Sequence, residues 1–199
     1  MDLWTRENEY YARMDGGLIC GVDEAGRGPL AGPVCAAAVI LPRGLVIEGL
    51  NDSKKLTEKK REKLYDVILE NALAYGIAFA SVEEIEEKNI LGATFTAMNR
   101  AIAMLDPSPA FALIDGNRTK GIEIPCDCVI GGDGCCADIA AASVLAKVTR
   151  DRYMLELAKE YPQYAFEQHK GYGTKLHYER IREFGPCPAH RPSFLVKMH

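Results

Sequence analysis

Asp23-Glu24-Ala25-Gly26-Arg27-Gly28 places two adjacent carboxylates where an apolar run, Leu18-Ile19-Cys20-Gly21-Val22, meets a glycine-rich break. A short apolar run ended by glycine reads as a buried strand. Two acids at its end are expensive to bury unless they hold a cation or a partner. Gly26-Arg27-Gly28 brings bare backbone and one guanidinium to the same spot, a combination suited to a phosphodiester held beside metal ions. Asp115, after Phe111-Ala112-Leu113-Ile114, and Asp133, in the glycine-rich segment after a further extended stretch, share this context. In open α/β sheets such strand ends line the ligand crevice. Acids gathered there repel one another strongly in low dielectric, and divalent cations with oxygen ligands resolve the repulsion. A two-metal clamp of this kind serves in-line phosphodiester cleavage. A single Asp before Gly is also an ordinary turn residue, and spacing alone does not prove convergence.

The elements that must position these acids alternate between strand and helix, which points to an α/β layered domain. Residues 17–23 and 33–41 read as two strands around the Gly-Arg-Gly turn. Thr57 can cap a helix running to about Ala74. Residues 76–82 form a third strand, and Ser81 with Glu84 makes a capping box for a helix ending before Pro107. Residues 111–115 and 122–130 are extended. A helix from Ala137 to about Glu160 is stopped by Pro162, and Thr174 caps a last short helix ending at Gly185. Asp138, at the start of the long helix, reads as a complement to the helix dipole.

The 199 residues, 48% of them hydrophobic, fit one domain with a real core. We expect a core over about 16–160 and a helical C-terminal extension over about 161–199. The N-terminus is charged and lacks a signal-peptide core, and no run is long and apolar enough to cross a membrane, so the expected location is the cytoplasm. Seven cysteines without a disulfide framework read as reduced thiols. Cys126, Cys128, Cys135 and Cys136 crowd together, but C-x-C and C-C are not the usual zinc spacings. The net charge is −4, yet residues 143–199 hold 10 Lys+Arg against 6 Asp+Glu. A basic C-terminal segment beside an acidic body is compatible with a phosphate-facing patch and equally with a solvated surface.

Other chemistries fit less well. A glycosidase also needs paired carboxylates, but one Trp leaves little platform for sugars. Gly26-x-Gly28-x-x-x-Gly32 fails the dinucleotide spacing and runs into a strand opened by Pro33, and there is no Walker A sequence.

The chain resembles bacterial ribonuclease HII over nearly its whole length. Residues 21–34, beginning Gly21-Val22-Asp23-Glu24-Ala25-Gly26-Arg27-Gly28, look like the family signature. Asp52-Ser53-Lys54-Lys55-Leu56, residues 114–118, residues 140–151, and His169-Lys170-Gly171-Tyr172-Gly173-Thr174 with His177 look like its later blocks, in order. The resemblance implies a ribonuclease H-like mixed sheet flanked by helices. It implies an endonuclease for RNA–DNA hybrids and for single ribonucleotides in duplex DNA, cutting 5′ of the ribonucleotide to leave 3′-hydroxyl and 5′-phosphate ends. The implied cofactor is Mg²⁺ or Mn²⁺, two ions with substrate bound, on Asp23, Glu24, Asp115 and Asp133. Gly131-Gly132-Asp133 stands where the family usually reads Lys-Gly-Asp, so a lysine near the fourth acid is missing.

A nuclease that detects one ribose must read a 2′-hydroxyl. Backbone groups of Gly26, Arg27 and Gly28 can approach it, and the resemblance places Tyr172 at the junction, its ring against the next deoxyribose. Lys54, Lys55, Lys147, Arg150, Lys170 and Lys175 are phosphate-contact candidates, and Thr174 can cap a helix whose N–H groups face a phosphate. Asp151 reads as an ion-pair partner between Arg150 and Arg152. The partners expected are RNA–DNA hybrid and ribonucleotide-containing duplex, with no membrane, and nothing demands more than a monomer. Two other readings stay open at this point: another ribonuclease H-like nuclease such as a junction resolvase, and a non-catalytic nucleic-acid-binding module whose acids hold structural metal.

Overall fold

In the computed structural model, which describes residues 2–14, 16–50 and 56–196, one mixed sheet lies between two helical layers. The strands are β1 (Ile19–Ala25), β2 (Val34–Ile40), β3 (Ala74–Ala80), β4 (Phe111–Asp115) and β5 (Cys126–Val129), in the order β3-β2-β1-β4-β5. The β1–β2 and β2–β3 pairs are antiparallel; β1–β4 and β4–β5 are parallel. Eight residues before β1 form a helix, α1 (Trp4–Tyr11), which sequence reading did not identify. The other helices are α2 (Glu58–Asn71), α3 (Val82–Ala103), α4 (Ala137–Glu160), α5 (Phe166–His169), α6 (Lys175–Phe184) and α7 (Pro192–Leu195). A helical C-terminal part, as expected, is therefore present.

Strand alternation divides the core. Cys20 and Val22 of β1, Ala36 and Ala38 of β2 and Ile114 of β4 pack on Ala97, Met98 and Ala101 of α3. Ala37 and Val39 face the opposite layer, where Ala140, Ala141 and Val144 of α4 meet Leu64 and Ile68 of α2. The small residues let α4 lie close against the sheet: a Cβ on Gly21 would collide with the Asp138 and Ile139 backbone. The fully buried apolar run of β2 fits a central strand covered on both faces.

Most boundaries follow local chemistry. Thr57 accepts the Lys60 N–H to open α2, and Ser81 and Glu84 form the expected reciprocal box at α3. Helix α2 ends at Asn71, short of the expected Ala74, because Ala72 turns extended and Ala74 already pairs with Ile40. The extended stretch 122–130 contributes only Cys126–Val129 to the sheet. Helix α3 is broken at Asn89 (φ 59°, ψ 169°), whose Oδ1 accepts the N–H groups of Leu91 and Gly92 and so caps the second half.

Asp138 departs from its expected role. It lies in the first turn of α4 but is fully buried, and its Oδ1 accepts the Leu41 N–H at 3.0 Å. Its own N–H donates to Glu7 Oε1 of α1 at 2.8 Å. The residue therefore ties α1, the residue after β2 and α4 together rather than meeting a dipole from solvent.

Candidate active site

Parallel pairing sets Val22 beside Ile114, so the next residues, Asp23 and Asp115, lie near the C-terminal ends of neighbouring strands on the same face. That face looks toward α4. Asp133 arrives from a short 3₁₀ turn, Gly132–Gly134, between β5 and α4. Carboxylate oxygens of Asp23, Asp115 and Asp133 lie within 4.8 Å of one another, and among the described residues this is the one group of three or more possible metal ligands. Asp23 and Asp133 are only 4% and 5% exposed. Burial, then the charges of Glu24 and Asp115, push the Asp23 carboxyl well above the usual carboxylate range, with hydrogen bonds from the Glu24 N–H and Ser143 acting the other way. An all-oxygen set whose members repel one another fits a hard divalent cation.

Glu24 falls on the other side of the strand, as period-two alternation requires, and is outside the three-acid group. It lines a small cleft with Arg27, Leu91, Phe95, Asp115, Asn117 and Arg118, and its Oε1 lies 3.3 Å from the Arg27 guanidinium. Asn117 and Arg118, from the 114–118 block, stand in this cleft beside two of the acids.

The Gly-Gly-Asp departure has a clear geometry. Matched residue for residue, the absent lysine falls on Gly131, which is left-handed (φ 67°) with open space where a side chain would be. Gly132 is buried, and its N–H donates to Asp115 Oδ1 at 2.7 Å. The backbone thus orients one acid whatever side chain stands before it. The four neighbouring cysteines range from buried Cys136 to exposed Cys128 and do not assemble as a ligand set among the described residues.

Gly26, Arg27 and Gly28 follow β1 directly. Gly26 has φ 100°, and a Cβ there would collide with the Arg150 guanidinium. Tyr172 stands next to this loop: a Cβ built on Gly28 would lie 3.8 Å from its ring. Tyr172 is 42% exposed, with Lys147 and Arg150 5.8 and 6.0 Å from its ring centroid. Its carbonyl is held by His177 Nδ1 at 2.9 Å. His177 Nε2 meets His190 Nε2 at 3.1 Å, and His190 Nδ1 accepts the Cys187 N–H at 3.0 Å. Burial holds His177 and His190 down at about 4, so both are neutral, and one set of tautomers satisfies the whole chain.

Of the phosphate-contact candidates, Arg150 is corrected. It is fully buried, and its guanidinium donates to the carbonyls of Pro33, Lys170 and Ala31 at 3.0–3.1 Å, leaving it no face for a phosphate. Lys147 is bridged to Asp151 at 2.7 Å, so Asp151 pairs there and not with its sequence neighbours Arg150 or Arg152. Lys170 donates to the Glu167 carbonyl, and Lys175 lies 3.8 Å from Glu179. Thr174 Oγ accepts the His177 N–H and caps α6. Lys54 and Lys55 fall outside the described residues. The feature that sequence reading missed altogether is Arg191, whose partners are backbone carbonyls more than 150 positions away.

Comparison with known proteins agrees with this geometry. The family profile of Ribonuclease HII matches residues 20–199. The chain is 56% identical over 178 residues to Ribonuclease HII of Dechloromonas aromatica strain RCB, covering 89% of this chain and 91% of that one. Ribonuclease H2 from Pyrococcus horikoshii OT3 shares the fold with TM-score 0.72 at 24% identity, over 88% of this chain and 92% of that one. Bst-RNase HIII in complex with Mn²⁺ shares it with TM-score 0.66 at 19% identity, over 87% and 65%. With the profile spanning the strand-end acids, the Gly-Arg-Gly loop and the C-terminal helices alike, the chain belongs to the ribonuclease HII family, whose members are metal-dependent ribonuclease H endonucleases.

Proposed function

We propose that the protein hydrolyses the RNA strand of RNA–DNA hybrids and cuts duplex DNA on the 5′ side of single ribonucleotides, removing ribonucleotides during replication and repair. The observation that carries this reading is the meeting of Asp23, Asp115 and Asp133 oxygens within 4.8 Å, with the Gly-Arg-Gly loop that follows β1 standing next to Tyr172. A nuclease for isolated ribonucleotides needs both parts, one for the phosphate and one for the sugar.

The three aspartates, with Glu24 from the opposite side of β1, are the residues that would hold Mg²⁺ or Mn²⁺. Two such ions supply water activation at neutral pH and charge neutralisation at the leaving oxygen. Mn²⁺ is consistent with the complex of the related Bst-RNase HIII. Water attacks phosphorus, the P–O3′ bond breaks, and the departing 3′-oxygen takes up a proton, which leaves a 3′-hydroxyl and a 5′-phosphate. Gly132 N–H orients Asp115, and the Ser143 contact orients Asp23, so the acids are aimed before any ion arrives. Gly26, Arg27 and Gly28 read the 2′-hydroxyl. The Tyr172 ring, backed by Lys147, lies against the deoxyribose across the junction. Lys170, the Thr174-capped end of α6 and, outside the described residues, Lys54 contact phosphates.

Asp115→Asn keeps an oxygen for the Gly132 N–H but removes one charge. Cleavage of a duplex carrying one ribonucleotide should fall by more than about a hundredfold, the loss that removing even a ligand's supporting partner can reach. Near-normal cleavage by a folded variant would refute the assignment. Cutting of an all-DNA branched substrate would favour a junction resolvase, and binding of hybrid in Mg²⁺ without any product would favour a binding module.

A further inference from the structure

Arg191 is fully buried, and every hydrogen bond of its guanidinium goes to the loop that follows β1. Nε donates to Gly32 O at 2.9 Å. Nη1 donates to Arg27 O at 3.1 Å and Pro29 O at 2.8 Å. Nη2 donates to Gly26 O and Gly32 O, both at 2.7 Å. The main chain continues the attachment: Arg191 N–H donates to Leu30 O, and Leu30 N–H to Gly171 O, each at 2.8 Å. Burial, with the Arg150 charge beside it, lowers the Arg191 pKa to about 9, so the guanidinium remains a cation near neutrality.

The direction of these bonds has a consequence. Across a trans peptide the carbonyl and the following N–H point opposite ways. The carbonyls of Gly26 and Arg27 turn inward to Arg191, so the N–H groups of Arg27 and Gly28 turn outward. Among the described residues no hydrogen bond takes up either N–H. The next inward carbonyl, Pro29, checks the rule: the N–H after it, Leu30, points away from Arg191 and meets Gly171. A buried cation thus presents two adjacent backbone donors beside Tyr172 and the carboxylate group.

We propose that Arg191 is the positioning residue for ribose recognition, fixing the loop so that the Arg27 and Gly28 N–H groups meet the sugar and the phosphate beside it; this rests on the reading that the loop detects the 2′-hydroxyl. Arg191→Lys is the test, because it keeps the charge and the alkyl stem but has no fork to span four carbonyls. The full chain is assayed on a duplex with one ribonucleotide, next to Gly28→Ala, at a temperature where circular dichroism shows each protein fully folded. Arg191→Lys should lower kcat by about a hundredfold, as a misplacement near 1 Å does. KM should move less than about threefold, because the other phosphate contacts, on Lys170 and the Thr174-capped end of α6, lie outside this loop. A purely structural arginine would lower the melting temperature and leave kcat of the folded protein unchanged. Loss of activity in Gly28→Ala with wild-type kcat in folded Arg191→Lys would overturn the role of Arg191 and keep the reading of the loop. Wild-type kcat in both would overturn both.

Discussion

Asp23, Asp115 and Asp133 illustrate how a site is prepared at a cost to the fold that holds it. Burial of Asp23 and its repulsion by Glu24 and Asp115 are penalties in the metal-free protein, and the raised Asp23 pKa is their signature. Removing one charge should relieve part of it, so metal-free Asp115→Asn should melt no lower than wild type. Added Mg²⁺ should stabilise wild type by about 2–3 kcal/mol at a hundred times its Kd, and the variant by less. Thermal shift with and without Mg²⁺ checks this, and equal shifts in the two proteins would mean that Asp115 does not hold the ion. Tyr172 makes a separable contribution. Its backbone is fixed through His177 and its ring is half free, so Tyr172→Ala removes the ring without disturbing the loop. We expect cleavage at a DNA–RNA junction to fall about tenfold more than cleavage inside a uniform hybrid, the worth of one sugar or base stacking contact. Equal losses on both substrates would mean the ring is only structural.

At the scale of elements, α1 and α4 meet through two buried carboxyls that form no ion pair among the described residues. Glu7 and Asp138 are both fully buried, and neither Glu7 Oε2 nor Asp138 Oδ2 has a hydrogen-bond partner among the described residues. Burial raises Glu7 to about 7 and holds Asp138 well above its ordinary value. A carboxyl whose folded pKa is raised gives full stability below its unfolded value and loses it as pH rises. For Glu7 the loss runs from about pH 4.5 to about 7 and amounts to about 3 kcal/mol. Glu7→Gln has nothing to titrate there, and its amide can donate to Asp138. Urea unfolding at pH 5 and pH 7.5 should show the variant gaining about 2–3 kcal/mol on wild type between the two. An unchanged difference would mean that the carboxyl ionises in the folded protein as it does in the unfolded one. This contact also marks a limit of sequence reading. Strand Phe111–Asp115, helix Ala137–Glu160 and the Ser81–Glu84 box were legible because apolar runs and caps are local signals. Helix α1 was not, since its eight residues are mostly polar and its stability comes from Trp4, Glu7 and Tyr10 packing on distant elements. The acids at strand ends were visible as acids, and alternation along β1 sets Glu24 opposite Asp23, but that Asp115 shares the face of Asp23 depends on the β1–β4 register. Arg191 carries no pattern at all, because its partners are carbonyls that any sequence possesses.

For the whole molecule, the basic excess of residues 143–199 overstates the charge available to a nucleic acid. Arg150 and Arg191 are buried against carbonyls. Lys147, Lys159 and Arg180 lie within 2.7–3.0 Å of Asp151, Glu156 and Glu183, and Arg152 pairs with Glu62. Lys175 lies 3.8 Å from Glu179. That leaves Lys170 and Arg182 as the described cations of this segment that are neither fully buried nor within 4.0 Å of a carboxylate. Exposed pairs hold together weakly, but a phosphate that captures the cation leaves its carboxylate behind, which reduces the gain. Binding should therefore lean on a few phosphate contacts and on the divalent ions. Each phosphate neutralised contributes a slope of about −0.9 to a plot of log affinity against log salt concentration. We expect log(kcat/KM) against log[KCl], at saturating Mg²⁺, to fall with a slope of about −2 to −4. A slope steeper than about −6 would require the paired lysines and arginines to turn to the duplex, and would restore the broad basic patch that the charge count alone suggests.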